Sequence, residues 1–166
     1  KKIKNVSDLF TQRAVFALIT TENEDGRYYL LQWNPKWQCY NFIGGKVDNQ
    51  LGDNNHAQAI RRELNEEIGI GDIGGVFEEQ EVQQIKMVQY SQRDKKLKLY
   101  QFSTFIIYFF PNFAVDRRKT KRALRWLSTK HDNIYVSTAE IKNLKTTCGK
   151  PISRTVRRIL RVMREI

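Results

Sequence analysis

Three glutamates within residues 62–70 lie at helical spacing. At about 100° per residue, Glu63, Glu66 and Glu67 occupy positions i, i+3 and i+4 and converge on one face of a helix. Like charges at this spacing weaken a helix by a few tenths of a kcal/mol per pair, so the pattern favours a nearby cation. Hard divalent ions with oxygen ligands suit such a face. A solvated acidic surface is the alternative interpretation, and the surrounding sequence distinguishes the two.

That surrounding sequence resembles the Nudix box. Residues 62–70 read R-E-L-N-E-E-I-G-I, and every position specified in the second half of the box is filled. Upstream, residues 42–48 include Gly44, Gly45 and Lys46 and resemble the strand end and Gly-Gly-Lys-Val that open the box. The segment between the halves is about three residues longer than the family pattern. Asp53 is the expected substitute for the glutamate that family members carry in this loop, and Ile43 replaces a common proline.

The resemblance implies a catalytic metal site. Its ligands would be Glu63, Glu66 and Glu67, joined by the backbone carbonyl of Gly45, and its cofactor would be Mg²⁺ or Mn²⁺. Such an ion neutralises phosphates and lowers the pKa of a bound water. Arg62 is interpreted as a catalytic-site residue that orients a carboxylate.

The general base remains open at this stage. Family members take it from a box glutamate, for which Glu63 is a candidate, or from a later loop. Glu140, His131 and Asp116 are the later candidates, but Glu140 also suits a helix capping box, and the other two suit solvated loops. His56 is interpreted as a surface residue rather than a ligand.

Residues other than the three glutamates are expected to contact the substrate. Lys46 and Arg13 are candidates for phosphate contacts. Aromatic side chains near the box are candidates for stacking on a base, although each also suits core packing. They are Trp33, Trp37, Tyr40 and Phe42.

Composition limits the class of protein. The chain has 166 residues, 40% of them hydrophobic and 28% charged, which favours one globular domain. Neither a membrane span nor a signal-type segment is predicted, so a cytoplasmic protein is expected. Cys39 and Cys148 are expected to be reduced thiols.

The net charge of +11 suits an anionic partner. Basic residues cluster near positions 117–122 and along a C-terminal helix predicted at about 153–165. RNA is therefore a possible partner, although no recognised RNA-binding motif accompanies the clusters. Solvated basic faces are the alternative, and homodimerisation is left open.

Periodicity predicts an α+β fold. A hairpin is predicted from residues 13–20 and 28–33, and a second from residues 76–91 and 97–110, ended by Pro111. The box helix is predicted to be capped by Asp53 or Asn54, to run to about Ile68 and to end at Gly69. Residues 123–127 resemble the short strand carrying Trp late in the Nudix fold, so the resemblance implies a strand there. Helices are predicted at the capping-box spacing of residues 137–140 and from residue 153.

The family resemblance then implies a single Nudix domain over residues 1–166, an α/β/α sandwich with a mixed β-sheet. The implied function is metal-dependent hydrolysis of a pyrophosphate bond in a nucleoside diphosphate linked to another moiety. Nucleoside triphosphates, ADP-ribose and dinucleotides present similar phosphates and are not distinguished. The alternative is a non-catalytic nucleotide sensor or RNA-interacting module; retention of all three glutamates favours an enzyme.

Overall fold

The computed structural model describes residues 11–48, 52–53, 55–69, 77–91, 94–109, 113–130 and 132–166. Its elements in chain order are β1 (Thr11–Leu18), β2 (Thr20–Asn23), β3 (Gly26–Asn34), β4 (Cys39–Asn41), β5 (Ile43–Lys46), α1 (His56–Ile68), β6 (Phe77–Ser91), β7 (Lys96–Phe109), α2 (Phe113–Leu127), β8 (Asn133–Ser137), α3 (Thr138–Asn143) and α4 (Arg154–Val162). Among these residues, no helix is long and apolar enough to cross a membrane.

The strands form two sheets. The first has the order β5-β1-β7-β6, in which β1 and β7 run parallel and the other pairs are antiparallel. In the second, β3 pairs with β2, β4 and β8. The predicted mixed sheet and the predicted hairpin between β6 and β7 are both confirmed.

Helices pack against both faces of the strands in these sheets. Alternate side chains of β1 point to opposite sides, as the pleat requires: Val15 and Ala17 pack in one core, and Phe16 and Leu18 pack in the other. The first core also holds buried residues of α1 and α2, and the second holds residues of α3 and α4. The result is the predicted α/β/α sandwich.

The predicted N-terminal hairpin is only partly correct. The chain leaves the first sheet at Ile19, so that β1 pairs with β5 and β7, whereas the short β2 pairs with β3. The predicted turn forms one residue earlier than Asp25 and Gly26: Asn23 pairs with Gly26, so Glu24 and Asp25 make the turn, and Gly26 follows at φ 127°. The predicted strand at residues 13–20 is divided because β1 pairs with β5 and β7, which lie far away in sequence, and not with β3.

The caps of α1 differ from the prediction at one end. Neither Asp53 nor Asn54 is the N-cap: the side chain of Asn55 accepts a hydrogen bond from the Gln58 backbone N–H at 2.9 Å. Asp53 instead accepts a hydrogen bond from the Arg62 side chain of α1, and Asn54 lies outside the described residues. At the other end Gly69 adopts the left-handed conformation, as predicted.

The predicted strand at residues 123–127 is wrong, because these residues end the helix α2. Leu124 and Leu127, at i and i+3, pack in the first core, and Ala123 is also buried, four residues before Leu127, which is a helical pattern. Five residues are too few to separate the two periods, whereas the whole segment is rich in helix-forming Arg, Lys, Ala and Leu.

Both later helices begin where the sequence predicts. Ser137 caps α3 in a capping box with Glu140, and Ser153 caps α4. The side chains of Val156, Ile159 and Leu160 are fully buried in the second core. The side chain of Ile68 and residues 76, 110 and 111 lie outside the described part of the structure.

Candidate metal and nucleotide site

The end of β5 lies directly against α1. The backbone at Gly45 is so close to the Glu63 carboxylate that a β-carbon at this position would collide with both carboxylate oxygens. At Gly44, a β-carbon would collide with the carbonyl oxygen of Val15 on β1. Gly45 therefore allows α1 to bring a carboxylate onto the strand backbone, and Gly44 allows β5 to lie close to β1.

Arg62 links the carboxylates of the site. Its Nη1 donates hydrogen bonds to Glu63 Oε1 at 3.1 Å and to Glu66 Oε2 at 3.2 Å, and its Nη2 donates to the Lys46 carbonyl at 3.0 Å. The same guanidinium holds Asp53 through Nε to Oδ1 at 3.0 Å and Nη2 to Oδ2 at 2.8 Å. Arg62 thus fixes α1 to both ends of the loop that precedes it.

Asp53 is the buried partner in this network, with an exposure of 1%. Its Oδ2 also accepts the Asp48 backbone N–H at 2.8 Å. The hydrogen bonds from Arg62 hold the pKa of Asp53 below its ordinary value, against the opposing effect of burial. Its oxygens are thus directed at Arg62 and the loop backbone, which makes Asp53 a positioning residue.

The glutamates of α1 have different environments. Burial raises the pKa of Glu63; Arg62 opposes this shift, and the charges of Glu66 and Glu67 add to it. Burial, followed by the charges of Glu66 and Asp132, raises the pKa of Glu67. The Glu66 side chain is 52% exposed. Two of the three carboxylates are therefore in surroundings that disfavour their ionised form.

A divalent ion fits the chemistry of these donors. Carboxylate and carbonyl oxygens are the ligands that Mg²⁺ and Mn²⁺ prefer. A cation would offset the cost of burying the ionised Glu63 and Glu67 and the repulsion from neighbouring carboxylates. In the described residues no three acidic, His or Cys side chains are grouped closely enough to hold a metal. Arg62 supplies the positive charge that contacts Glu63 and Glu66 in this arrangement.

A cavity of about 730 Å³ opens beside the glycine strand. Gly44, Gly45, Lys46 and Glu67 contribute to its wall, so the cavity reaches the carboxylate helix. Its volume lies in the range of small-molecule sites. Amide side chains from four elements also line it: Gln12, Gln32, Asn34, Asn41 and Gln89.

The predicted substrate-binding residues divide into two groups. Lys46 and Trp37 line the cavity, and the Trp37 side chain is 50% exposed. Arg13 alternates with Ala14 on β1, and Ala14 faces the cavity, so Arg13 points to the opposite face. Tyr40 does not line the cavity, and its ring packs edge-on against the Trp33 ring with 5.1 Å between the ring centroids.

The remaining aromatic and histidine candidates have structural partners. Trp33 and Phe42 line the cavity, although Phe42 is 4% exposed and packs in the second core. His56 lies at the start of α1, where its Nδ1 is 3.2 Å from Glu81 Oε2 and 3.0 Å from Ser103 Oγ. His131 and the side chain of Asp116 lie outside the described residues.

Asp132 was not among the sequence candidates, yet it lines the cavity and its charge raises the pKa of Glu67. It directly precedes β8, a strand missing from the prediction. The β-branched and aromatic run Ile134, Tyr135 and Val136 was the signal for that strand. A strand at these residues pairs with β3 and therefore brings Asp132, directly before it, close to the end of that strand.

Glu140 serves the start of α3. Its Oε1 accepts the Ser137 backbone N–H at 3.0 Å, and its Oε2 accepts the Thr147 backbone N–H at 2.9 Å. Burial raises the pKa of Glu140, but these hydrogen bonds outweigh it, so the pKa lies below its ordinary value. Both oxygens are occupied by local contacts.

We therefore predict that Glu140→Ala destabilises the protein by about 1 kcal/mol at pH 7. Because the folded-state pKa is lowered, this contribution is present above the unfolded Glu pKa of about 4.3 and is lost as the pH falls through the folded-state value. Urea unfolding of wild type and variant at pH 7 and at about pH 3.5 measures the difference. Glu24→Ala, in an exposed turn, is the control. A penalty independent of pH would contradict the prediction.

The family model described as the NUDIX domain matches residues 11–155. Because this match covers most of the chain, and the fold and glycine–glutamate geometry agree with it, the chain belongs to the Nudix family. A search of curated proteins finds no match.

Solved structures share the fold at low sequence identity. NrtR from Shewanella oneidensis, solved with a 27mer DNA, has a TM-score of 0.59 and 13% identity, with 92% of this chain and 60% of that chain covered. The chain thus spans 60% of the length of that relative. A Nudix hydrolase from Nitrosomonas europaea has a TM-score of 0.54 and 19% identity, with coverages of 93% and 89%. The NUDIX domain of Shewanella oneidensis NrtR, solved with ADP ribose, has a TM-score of 0.53 and 13% identity, with coverages of 93% and 87%.

Proposed function

We propose that this chain is a metal-dependent hydrolase that cleaves a pyrophosphate bond in a nucleoside diphosphate linked to another moiety. The observation that supports this most directly is the shared wall of the cavity. Gly45, Lys46 and Glu67 line one cavity, and the Glu63 carboxylate lies against the backbone of Gly45. A phosphate chain in this cavity would therefore meet the glycine backbone, a lysine and the carboxylate helix together.

The residues of the chain have separate roles in this proposal. Glu63, Glu66, Glu67 and the carbonyl of Gly45 would hold Mg²⁺ or Mn²⁺, which supplies phosphate neutralisation and activation of water when bound. Arg62 orients Glu63 and Glu66 through its hydrogen bonds. The general base would come from Glu63 or Glu67, because a raised pKa favours acceptance of a proton near neutral pH.

The rest of the cavity suits the nucleoside. Trp37 would offer a half-exposed ring for stacking, and Lys46, which lines the cavity, would contact a phosphate. The amides along the wall have both donors and acceptors for the edge of a base. The structure of the related NUDIX domain with ADP ribose supports a ligand of this class.

The direct test is cleavage of a defined panel. The full chain is incubated with nucleoside triphosphates, ADP-ribose, a dinucleotide and nucleotide sugars, with Mg²⁺ or Mn²⁺ and in parallel with EDTA. We expect metal-dependent products that keep a nucleoside monophosphate, identified by mass spectrometry, and complete loss of turnover in EDTA. Equal cleavage with and without metal would contradict the proposed mechanism.

A sensor is the second candidate, because the structural relatives include NrtR solved with DNA. Its signature would be tight binding of one compound in the panel by isothermal calorimetry, with no turnover under any metal. Turnover of that compound would exclude a purely sensory role.

A further inference from the structure

Four arginines form a stripe on the outer face of α4. Arg154, Arg157, Arg158 and Arg161 recur at i, i+3, i+4 and i+7, and thus lie on one side of the helix. The opposite side is the buried face of Val156, Ile159 and Leu160. At 1.5 Å per residue the stripe is about 10 Å long.

This stripe lacks acidic partners within the described structure. None of the ion pairs formed among the described residues involves these four arginines. Glu165, the acidic residue that follows the helix, is paired with Arg27 at 2.7 Å instead. Arg157 donates to the Lys142 carbonyl at 3.0 Å, which brings the lysine-bearing helix α3 alongside the stripe. The outer face of α4 therefore carries four arginines with no acidic partner among the described residues.

The stripe begins at the cavity. Ser153, Arg154 and Thr155 line the cavity wall, and the Gln89 side chain donates to Thr155 Oγ1 at 3.4 Å, which joins α4 to β6 there. A chain of phosphates that leaves the cavity past Arg154 would meet the other arginines within one to two helical turns.

Exposed aromatic rings accompany the same opening. Trp37 and Tyr90 line the cavity with exposures of 50% and 51%. Aromatic platforms beside a positive groove are the arrangement that binds single-stranded nucleic acid, because bases stack on the rings while the backbone follows the charge. A mononucleotide would not use the outer arginines.

We propose that the nucleotide held in the cavity is the 5′ end of a nucleic-acid strand whose backbone continues along the arginine stripe of α4. This inference rests on the proposed function, since it extends the substrate of the same site. It assigns Arg158 and Arg161 to the phosphates outside the cavity and Tyr90 to a base near its mouth.

Fluorescence anisotropy tests the strand contact without cleavage. The probe is a labelled, 5′-triphosphorylated oligoribonucleotide of about ten nucleotides, titrated with the full chain in EDTA. We expect Arg158→Gln with Arg161→Gln to weaken binding about tenfold and to lower the slope of log affinity against log salt by about 1.4. Tyr90→Ala is expected to weaken binding about fivefold or more.

The matched control is Lys121→Gln with Arg122→Gln on α2, which removes two exposed positive charges from the other helical layer. Equal losses in the two double variants would overturn the inference, because they would show a general charge effect. A loss of the same size for labelled ATP would also overturn it, because the arginines would then belong to the nucleotide cavity. Circular dichroism verifies that each variant is folded.

The binding readout is independent of turnover. A chain that hydrolyses mononucleotides but binds the strand equally well in both double variants contradicts this inference and leaves the proposed function intact. Strand binding that requires α4, without turnover of the triphosphorylated strand or of any panel compound under Mg²⁺ or Mn²⁺, supports the α4 contact and contradicts the hydrolase proposal.

Discussion

Glu67→Gln is expected to lower turnover of the cleaved nucleotide at least about 100-fold. Glu67 lines the cavity, and Gln has nearly the same shape but carries no negative charge and cannot accept a proton at neutral pH. The same substitution at Glu66 removes a mostly exposed carboxylate of the proposed metal set. The measurement is kcat and KM with Mg²⁺ varied, because loss of a ligand also raises the metal concentration that gives half-maximal rate.

Glu24→Gln is the matched control for these variants, since it removes the same charge from an exposed turn outside the site. Its kcat should equal that of the wild type. Unchanged activity in both the Glu66 and Glu67 variants would remove the carboxylate helix from the mechanism and with it the proposed assignment.

Arg62→Gln is expected to destabilise the protein by about 3 kcal/mol or more at pH 7. Asp53 has a side-chain exposure of 2% and would lose three of its hydrogen bonds while it remained buried. Breaking a buried pair by removal of one partner costs more than deleting the pair, because a charge is left uncompensated. Urea unfolding of the purified variant gives the difference in free energy.

Glu22→Gln is the internal control. Glu22 Oε1 lies 3.6 Å from Arg27 Nε, and the side chains of the two residues are 70% and 40% exposed. Surface pairs contribute about 0–1 kcal/mol, so this variant should be close to the wild type. Comparable losses in the two variants would contradict the buried-pair explanation.

The pH dependence adds a second test of the Arg62 pair. The pKa of Asp53 is lowered in the folded protein, so the pair stabilises above the unfolded Asp pKa of about 3.9, and this contribution is lost as the pH falls through the folded-state value. The difference between wild type and Arg62→Gln should therefore shrink on acidification, because protonation of Asp53 removes the stranded charge.

Helix α1 illustrates how well a local pattern predicts structure. Its apolar residues Ala59, Ile60 and Leu64 are fully buried, and Gly69 ends it in the left-handed conformation. These features depend on contacts within a few residues of each other, and a helical period makes such contacts visible in the chain. The capping box of Ser137 and Glu140 was predictable for the same reason.

The cavity was less predictable. Its wall combines β1, β3, β4, β5, α1, β6, β7 and α4 with the loop before β8, and residues such as Asp132 and Arg154 carry no local sign of membership. Arg13, predicted for substrate contact, faces away because the pleat of β1 turns alternate side chains to opposite faces. Whether a strand residue faces the site depends on which face the sheet presents there.

The amino-acid sequence by itself determined the Nudix family, the carboxylate helix, its C-cap at Gly69 and the capping box of α3, since these rest on short-range spacing and hydrogen bonding. Tertiary structure alone decided that β1 and β2 belong to different sheets, that residues 123–127 complete a helix, and that Asp53 pairs with Arg62. Those outcomes depend on which distant segments meet, and the free energy of burial and pairing that decides between them is gained only when the whole chain closes.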